Sequence, residues 1–538
     1  MPAPTHRALA LALLLAAAPA GAADPQFDPT FGASGFVRVG FGAGYSDEPT
    51  CVLTQPDGML LSGGYSSGPD GIYVAIARHF PNGLPDSSGF GAAGQVKFRA
   101  HYRDYLNALA VAPDGRIVGV GMRMTNNNTS SQRATVYRFL PDGTPDVTFA
   151  DSGSVTIHFD EFSSTEFTGV RVLPDGRIRA AGRMNRSSNG GNHGWIQLQL
   201  GANGHSDPAF GDSLGGRLHL ETGLQFTQPA VEFLADGGLL MASAVQVSGV
   251  MHYVLVRFDA AGFAVPGFGA GGRVDTGILA RTTSEVSLTS YADGRFILAA
   301  STPRAGGGAD WLVARFLADG SPDSSFGVGG QAVIQFSTGG ISDEPNDVCI
   351  LGDGRILVVG QSGSATPVMA RLTDVGALDP SFDGDGKVTL DLSSGTSGST
   401  LHEVRVTGGD KVVTLGRDRS VNNGDFVINR FGLDVVGVEE PPPPVRALRL
   451  AAGPNPLRDH TTVNFDLPAG GHVTLEVFDA AGRIVSVLAD GWRAAGRHLE
   501  AWRPERSVPG GVYFARLTVR EPAGGATQRR TVRLVRLR

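Results

Sequence analysis

The chain has 538 residues, room for about three to four average domains, and its 41 % hydrophobic content is ample for buried cores, which excludes a short disulfide scaffold. Glycine takes 76 positions, roughly double its usual share, while charged residues fall to 18 %, a profile of many tight turns rather than long charged helices. A formal charge of −7 argues against a general polyanion binder, so no nucleic-acid partner is expected.

The chain opens with a cationic start ending at His6 and Arg7, an apolar run over 8–18, and the small residues Ala20, Gly21, Ala22 and Ala23. This pattern predicts a secretory signal peptide over 1–22, too short in its apolar part to span a bilayer. No later stretch reaches transmembrane length, so no transmembrane anchor is expected after leader removal, and the protein is expected to be secreted or at the outer cell surface. Cys51 and Cys349 are the only cysteines. They fall in units one and six of the repeat below, so two unpaired, packed thiols are expected.

From 24 to 435 three markers recur together. The first is a turn: Pro56-Asp57-Gly58, Pro113-Asp114-Gly115, Pro174-Asp175-Gly176, Ala235-Asp236-Gly237, Ala292-Asp293-Gly294, Gly352-Asp353-Gly354, and a worn copy at Gly408-Gly409-Asp410. Asp-Gly between alternating apolar runs predicts a hairpin, because Asp tolerates left-handed backbone angles and Gly adopts them freely. The second marker is an arginine ending a later strand, at 78, 138, 257, 315, 371 and 430, with Gln199 in its place once. The third is a corner phenylalanine at 31, 90, 149, 210, 268, 326 and 382, about 58 residues apart on average. Each unit offers about four short strands, in unit one 35–41, 50–55, 59–63 and 72–80, with no amphipathic helix between them. Four strands per repeat is the pattern of a propeller blade, and seven units predict a seven-bladed β-propeller. An open β-solenoid is the structural alternative. The strand 35–41 is expected to close the last blade beside 426–431.

The pattern Asp-x-Ser-Phe-Gly, a strand, Pro-Asp-Gly-Arg-Ile, then Ala-Arg-Phe-x-x-Asp-Gly resembles the delta-60 repeat of bacterial exported and surface proteins, most plainly at 314–320, 322–327 and 353–360. The resemblance implies a propeller-like domain without defined catalytic residues.

Glu439, Glu440 and the prolines 441–444 predict an extended linker over 436–446. Beyond it, strands are expected at 461–467, 473–479, 484–488, 496–502, 511–519 and 530–535, which suits a small immunoglobulin-like β-sandwich over 447–538. The fold class is therefore all-β throughout. The motifs at 454–456, 465–468, 477–483, Trp502 and 510–517 are similar to the C-terminal sorting domain of the type IX secretion system and to the immunoglobulin-like domain of flagellar hook-capping proteins. The first resemblance implies contact with the secretion machinery through this module; a plain spacer is the alternative.

Gly64-Tyr65-Ser66-Ser67-Gly68 matches a nucleophile elbow by letter, and 267–272 a dinucleotide fingerprint, but neither opens a helix. Asp383-Gly384-Asp385-Gly386 reads as a turn, since an EF-hand needs more carboxylates. The histidines show no zinc spacing. No catalytic, cofactor or metal residues are assigned. The recurring arginines end strands a few residues before the corner aspartates (Asp86, Asp146, Asp207, Asp323, Asp379), which predicts charge-assisted pairs locking adjacent turns. The acids entering the first hairpin strands include Glu48 and Glu344 and read chiefly as solvated loop charges; of these, Asp47, Asp104, Glu166, Glu285 and Asp343 form the candidate binding rim. The expected function is a binding scaffold for an extracellular polymer (glycan) or a protein. A secreted carbohydrate-active enzyme, hydrolase or lyase, with its site at the propeller mouth, and a structural surface component, are the alternatives.

Overall fold

The computed structural model of the chain describes residues 25–126, 132–150, 152–158, 164–185, 193–211, 217–221, 228–281, 285–364, 366–390, 399–408, 411–419, 424–433, 448–453, 457, 461–467, 471–493, 496–504, 508–520 and 527–537. The leader and the proline linker lie outside these residues. The described residues are all strand, turn and loop, with no helix among them, hence none long and apolar enough to cross a membrane.

Seven four-stranded antiparallel meanders follow one another. Unit one runs Ser46–Thr54, Leu60–Gly68, Gly71–His79 and Gln95–Phe98, and a single parallel bridge, Ile72 to Arg103, joins it to unit two. Unit seven takes Ser399–Gly408, Lys411–Asp418 and Asp425–Gly432 from the end of the repeat, and its fourth strand, Phe36–Val39, from the beginning. Phe36 lies opposite Asn429 and Val39 opposite Phe426, the closure expected from the sequence.

The hairpin turns form for a reason that differs from the expected one. Among the described hairpin turns only the glycine is left-handed, as at Gly58 (φ 85°) and Gly354 (φ 90°), and none of their aspartates is. The aspartate instead accepts the amide two residues on: Asp57 from Met59 at 3.1 Å, Asp353 from Arg355 at 3.0 Å. An Asx turn followed by a left-handed glycine is what this spacing encodes.

The second strand of each unit is buried on both faces. In Phe296–Pro303, Phe296, Leu298 and Ala300 pack toward unit four, while Ile297 and Ala299 pack toward unit six. One apolar cluster fills the space between each consecutive pair of sheets, and a further cluster, with Val52 and Leu60 against Val413 and Leu415, fills the space between the last and the first. The cycle is therefore closed. Cys51 and Cys349 are free and buried in two of these clusters.

The arginines and corner aspartates tie the same cycle together. Arg78 meets Asp86, Arg138 Asp146, Arg315 Asp323 and Arg371 Asp379 through Nε at 2.7–2.9 Å. Arg430 has no corner aspartate after it and takes Asp28, at 2.8 Å, from the chain's beginning. Each guanidinium also reaches a carbonyl of the next sheet: Arg371 to Leu433 at 2.7 Å, Arg257 to Ala318 at 2.8 Å, and Arg430 back to Pro81 in unit one. In unit three, where Gln199 stands in the arginine's place, Arg179 on the neighbouring strand bonds Asp259 and Ala260 of unit four instead. In unit four Val265 replaces the aspartate, and Arg257 pairs with Asp236 at 2.6 Å.

After the repeat, a three-stranded sheet (Arg449–Gly453, Thr461–Leu467, Gly496–Trp502) and a four-stranded sheet (Ile484–Arg493, Gly471–Asp479, Gly511–Arg520, Thr527–Arg536) enclose one core around Trp502, Phe465 and Tyr513. Phe80 of unit one packs on Trp492 of this second body, ring centroids 4.9 Å apart.

Candidate functional site

The first strands of the units converge, and a β-bulge decides what they present. The strand register shifts between Pro49 and Cys51, Leu106 and Ala108, Phe167 and Gly169, Pro345 and Asp347, and Leu401 and Glu403. The extra residue turns its side chain to the next unit: Thr50 donates to the Leu106 carbonyl at 3.0 Å, Asn107 to Phe167 at 2.8 Å, Thr168 to Pro229 at 3.0 Å. Re-aiming side chains is what a bulge does. It brings the backbone so close that a Cβ on the partner strand would lie 2.0 Å from the Glu48 carbonyl oxygen at Gly64, 2.0 Å from that of Glu166 at Gly182, and 2.2 Å from that of Glu344 at Gly360.

The residues just before the bulges gather at one mouth: Glu48, Tyr105, Glu166 and Glu344, with Tyr65 from the second strand. The Tyr65 and Tyr105 rings meet edge to face, 4.9 Å apart. Arg417 pairs with Glu48, Arg183 with Glu166 at 2.8 Å, and Arg281 lies 3.9 Å from Glu344. Burial pushes the Glu48 carboxyl up against the pull of Arg417 and Arg419. His402, enclosed by protein near the same two arginines, is held down at about 4.

The five rim acids separate by role. Asp47, Asp104 and Asp343 are buried and hold the connection into their own strand: Asp47 accepts the Phe41 amide at 2.8 Å, Asp104 those of Ala100 and His101 at 2.8 Å, and Asp343 those of Phe336 and Ser337 at 3.0 Å. Glu166 stands at the mouth, bonded to Asn107 at 2.9 Å and to Arg183. Glu285 is exposed to water, yet the surrounding protein, with the Glu344 and Glu48 charges, pushes its carboxyl up.

Below the mouth lies a group that the sequence reading missed. Arg405 donates to Asp347 at 2.5 Å and to Glu403 at 2.9 Å; Glu403 also accepts the Val52 amide of unit one, and Asp347 accepts Ser287 of unit five at 2.7 Å. Glu232 of unit four accepts Ser290 at 2.7 Å. Two carboxylates, Asp347 and Glu403, share one guanidinium, and Glu232 lies within its field. Burial and the Asp347 charge outweigh Arg405 and hold the Glu403 carboxyl up at about 7. Among the described residues no group of three or more His, Cys, Asp or Glu side chains is placed to hold a metal ion. The letter matches at 64–68, 267–272 and 383–386 fall in a strand and in turns.

At the opposite end of the first strands, a cleft of about 260 Å³ opens between the turns around Asp114 and Asp175. The family described as "Domain of unknown function (DUF5122) beta-propeller" matches residues 112–149, 292–326 and 351–382. The repeat is of the β-propeller type. Each matched stretch runs from a hairpin turn to a corner phenylalanine, the interval that carries all three markers. Among solved structures the chain is similar to PorZ, a surface component of the type-IX secretion system of Porphyromonas gingivalis, at 12 % identity and a TM-score of 0.25, over 91 % of this chain and 82 % of that one. It is also similar to a putative exo-β-1,3-galactanase from Bifidobacterium bifidum (13 %, TM-score 0.28, 49 % and 87 %) and to an endo-arabinase from Bacteroides thetaiotaomicron (10 %, 0.28, 52 % and 96 %). Likenesses this loose carry no argument about activity. No curated protein matches the chain.

Proposed function

We propose that the chain is an exported seven-bladed β-propeller of delta-60-like repeats over 24–435, followed by an immunoglobulin-like sorting or attachment module, and that it works as a binding scaffold for a hydroxyl-rich extracellular polymer. The observation that carries this reading is the lining of the mouth. Glu48 and Glu166 are each tied to an arginine, and the Tyr65–Tyr105 pair stands beside them. Carboxylates neutralised in this way present fixed acceptors and donors and leave little freedom for the proton shuttling that glycoside cleavage requires. Aromatic edges among a few oriented polar groups are the composition of a recognition surface.

Export rests on the leader over 1–22, and the sorting role on the motifs of the C-terminal body. A glycan array run beside a polysaccharide-hydrolase screen tests the reading. Wild type should retain at least one glycan class without releasing sugar, and Tyr65→Ala with Tyr105→Ala should weaken retention at least tenfold. Turnover of a polysaccharide that Glu285→Gln abolishes would replace the scaffold with an enzyme.

A further inference from the structure

The face that carries the mouth has a second, separate group of side chains on unit one. Tyr45 precedes the first strand, Asp70 sits at the tip of the second hairpin, Tyr73 follows it, Lys97 lies on the outermost strand, and Arg99 and Tyr102 occupy the connection to unit two. Tyr45 and Tyr73 meet edge to face at 6.2 Å, and both phenols donate to Asp70, which fixes the rings. The Lys97 ammonium stands 3.8 Å from the Tyr45 ring centroid and 5.0 Å from that of Tyr73, and the Arg99 guanidinium 4.6 Å from Tyr73. Arg103 lies 5.3 Å from the ring of Tyr102, which is 41 % exposed.

Two features separate this strip from ordinary surface packing. Lysine occurs only at 97, 387 and 411, so one of three is held between aromatic rings here, while the chain as a whole is acidic. Arg99 gives one donor to the Asp70 carbonyl, and among the described residues its other donors meet no protein acceptor. A guanidinium held over a ring keeps its planar set of donors, suited to a planar oxyanion, and aromatic contact strengthens its hold without neutralising it. The Asp47 charge near Lys97 is buried and committed to Phe41 and Ser66. At physiological salt the Debye length is about 8 Å, so the remote carboxylates behind the −7 total are screened and the strip's own charges, Lys97, Arg99 and Arg103 against Asp70 and the buried Asp47, govern encounter.

We propose that this Tyr–Lys–Arg strip is a subsite for the carboxylate-bearing sugars of an acidic extracellular polysaccharide, distinct from the neutralised mouth; it deepens the scaffold reading by naming the polymer's charge. The fixed rings would bear on the sugar's C–H faces while Arg99 takes the carboxylate in two parallel hydrogen bonds.

The test uses the full mature chain in affinity electrophoresis through alginate, a polyuronate, and through dextran, a neutral polymer, at about 50 and 300 mM salt. Wild type should be retarded by alginate more than by dextran, less so at the higher salt. Arg99→Ala with Tyr102→Ala should lose at least tenfold of that affinity at unchanged melting temperature, and Arg99→Lys should recover only part of it. Tyr65→Ala with Tyr105→Ala at the mouth should reduce retardation by alginate and dextran alike, whereas Arg99→Ala with Tyr102→Ala should remove the excess for alginate alone, which separates failure of the mouth from failure of the strip. Equal retardation of wild type and Arg99→Ala/Tyr102→Ala, no retardation by alginate, or preference for dextran would each overturn the assignment.

Discussion

A guanidinium at the end of a strand can link three partners at once, and the repeat uses that capacity. Arg371 is fully buried, bonds Asp379 through Nε and Ser381 at 2.7 Å, and reaches Leu433 of the next unit. A lysine ammonium has the charge but not the planar fork. The pairing was readable in the sequence because both partners recur at a fixed offset of eight residues, from Arg78 and Asp86 to Arg371 and Asp379. Arg179 was not, since it replaces the missing partner from a neighbouring strand and leaves no trace in the repeat. Glu232, Asp347, Glu403 and Arg405 were equally hidden: Asp347 and Glu403 share one place after the bulge in two units only, Arg405 shares its place with Arg171 alone, and their meeting needs the ring to close. Glu403 yields a prediction of definite sign. Its carboxyl is raised from the ordinary 4.5 to about 7, so the unfolded chain ionises it first, and the folded state loses stability as pH rises from about 4.5 to about 7. Glu403→Gln keeps an acceptor for the Val52 amide and removes the charge. Urea midpoints at pH 5 and pH 8 should show wild type falling relative to the variant over that interval; parallel profiles would show that Glu403 titrates normally.

Glycines in the second strands show how one element imposes a residue on another. The bulge opposite is what requires them, and a bulge has no signature in apolar alternation because it adds one residue without changing the residue types around it. The two units whose described first strands carry no register shift, four and five, have Ser243 and Ala300 at the position held by Gly64, Gly182 and Gly360 elsewhere. Gly360→Ala would set a Cβ 2.2 Å from the Glu344 carbonyl oxygen and 2.8 Å from the Trp311 ring, neither able to withdraw cheaply. It should cost about 1–3 kcal/mol of stability, as overpacking usually does. Gly340→Ala, with open space at its Cβ, should stay within about 0.5 kcal/mol. Equal chemical-denaturation midpoints for the two variants would mean that the bulge relaxes to admit the methyl group.

At the scale of the whole molecule, a sheet buried on both faces is stable only while both neighbours are present, so a ring has no expendable member and its weakest point is where the chain's two ends meet. That seam is unusually well secured. Phe36–Val39 completes the last sheet, Phe27 stacks on Phe431 at 4.7 Å, and Phe31 and Phe41 enter the cluster between units seven and one. Asp28 joins Arg430 at 2.8 Å and Lys411 at 2.6 Å; despite burial, the Lys411, Thr30 and Arg430 contacts hold its carboxyl far below the usual range, so this ionic part of the seam is present above about pH 4 and is lost only in stronger acid. Deleting residues 24–42 should therefore lower the melting temperature sharply and expose the apolar sides of units seven and one to a hydrophobic dye. Removing the second body after Arg446, which meets the ring through Phe80 and Trp492, should leave the melting temperature of the repeat within a few degrees. If the first deletion proved as mild as the second, the N-terminal strand would be an attachment to a ring that closes without it, and the seam would have to lie in the first-strand contacts of Glu403 and Val52.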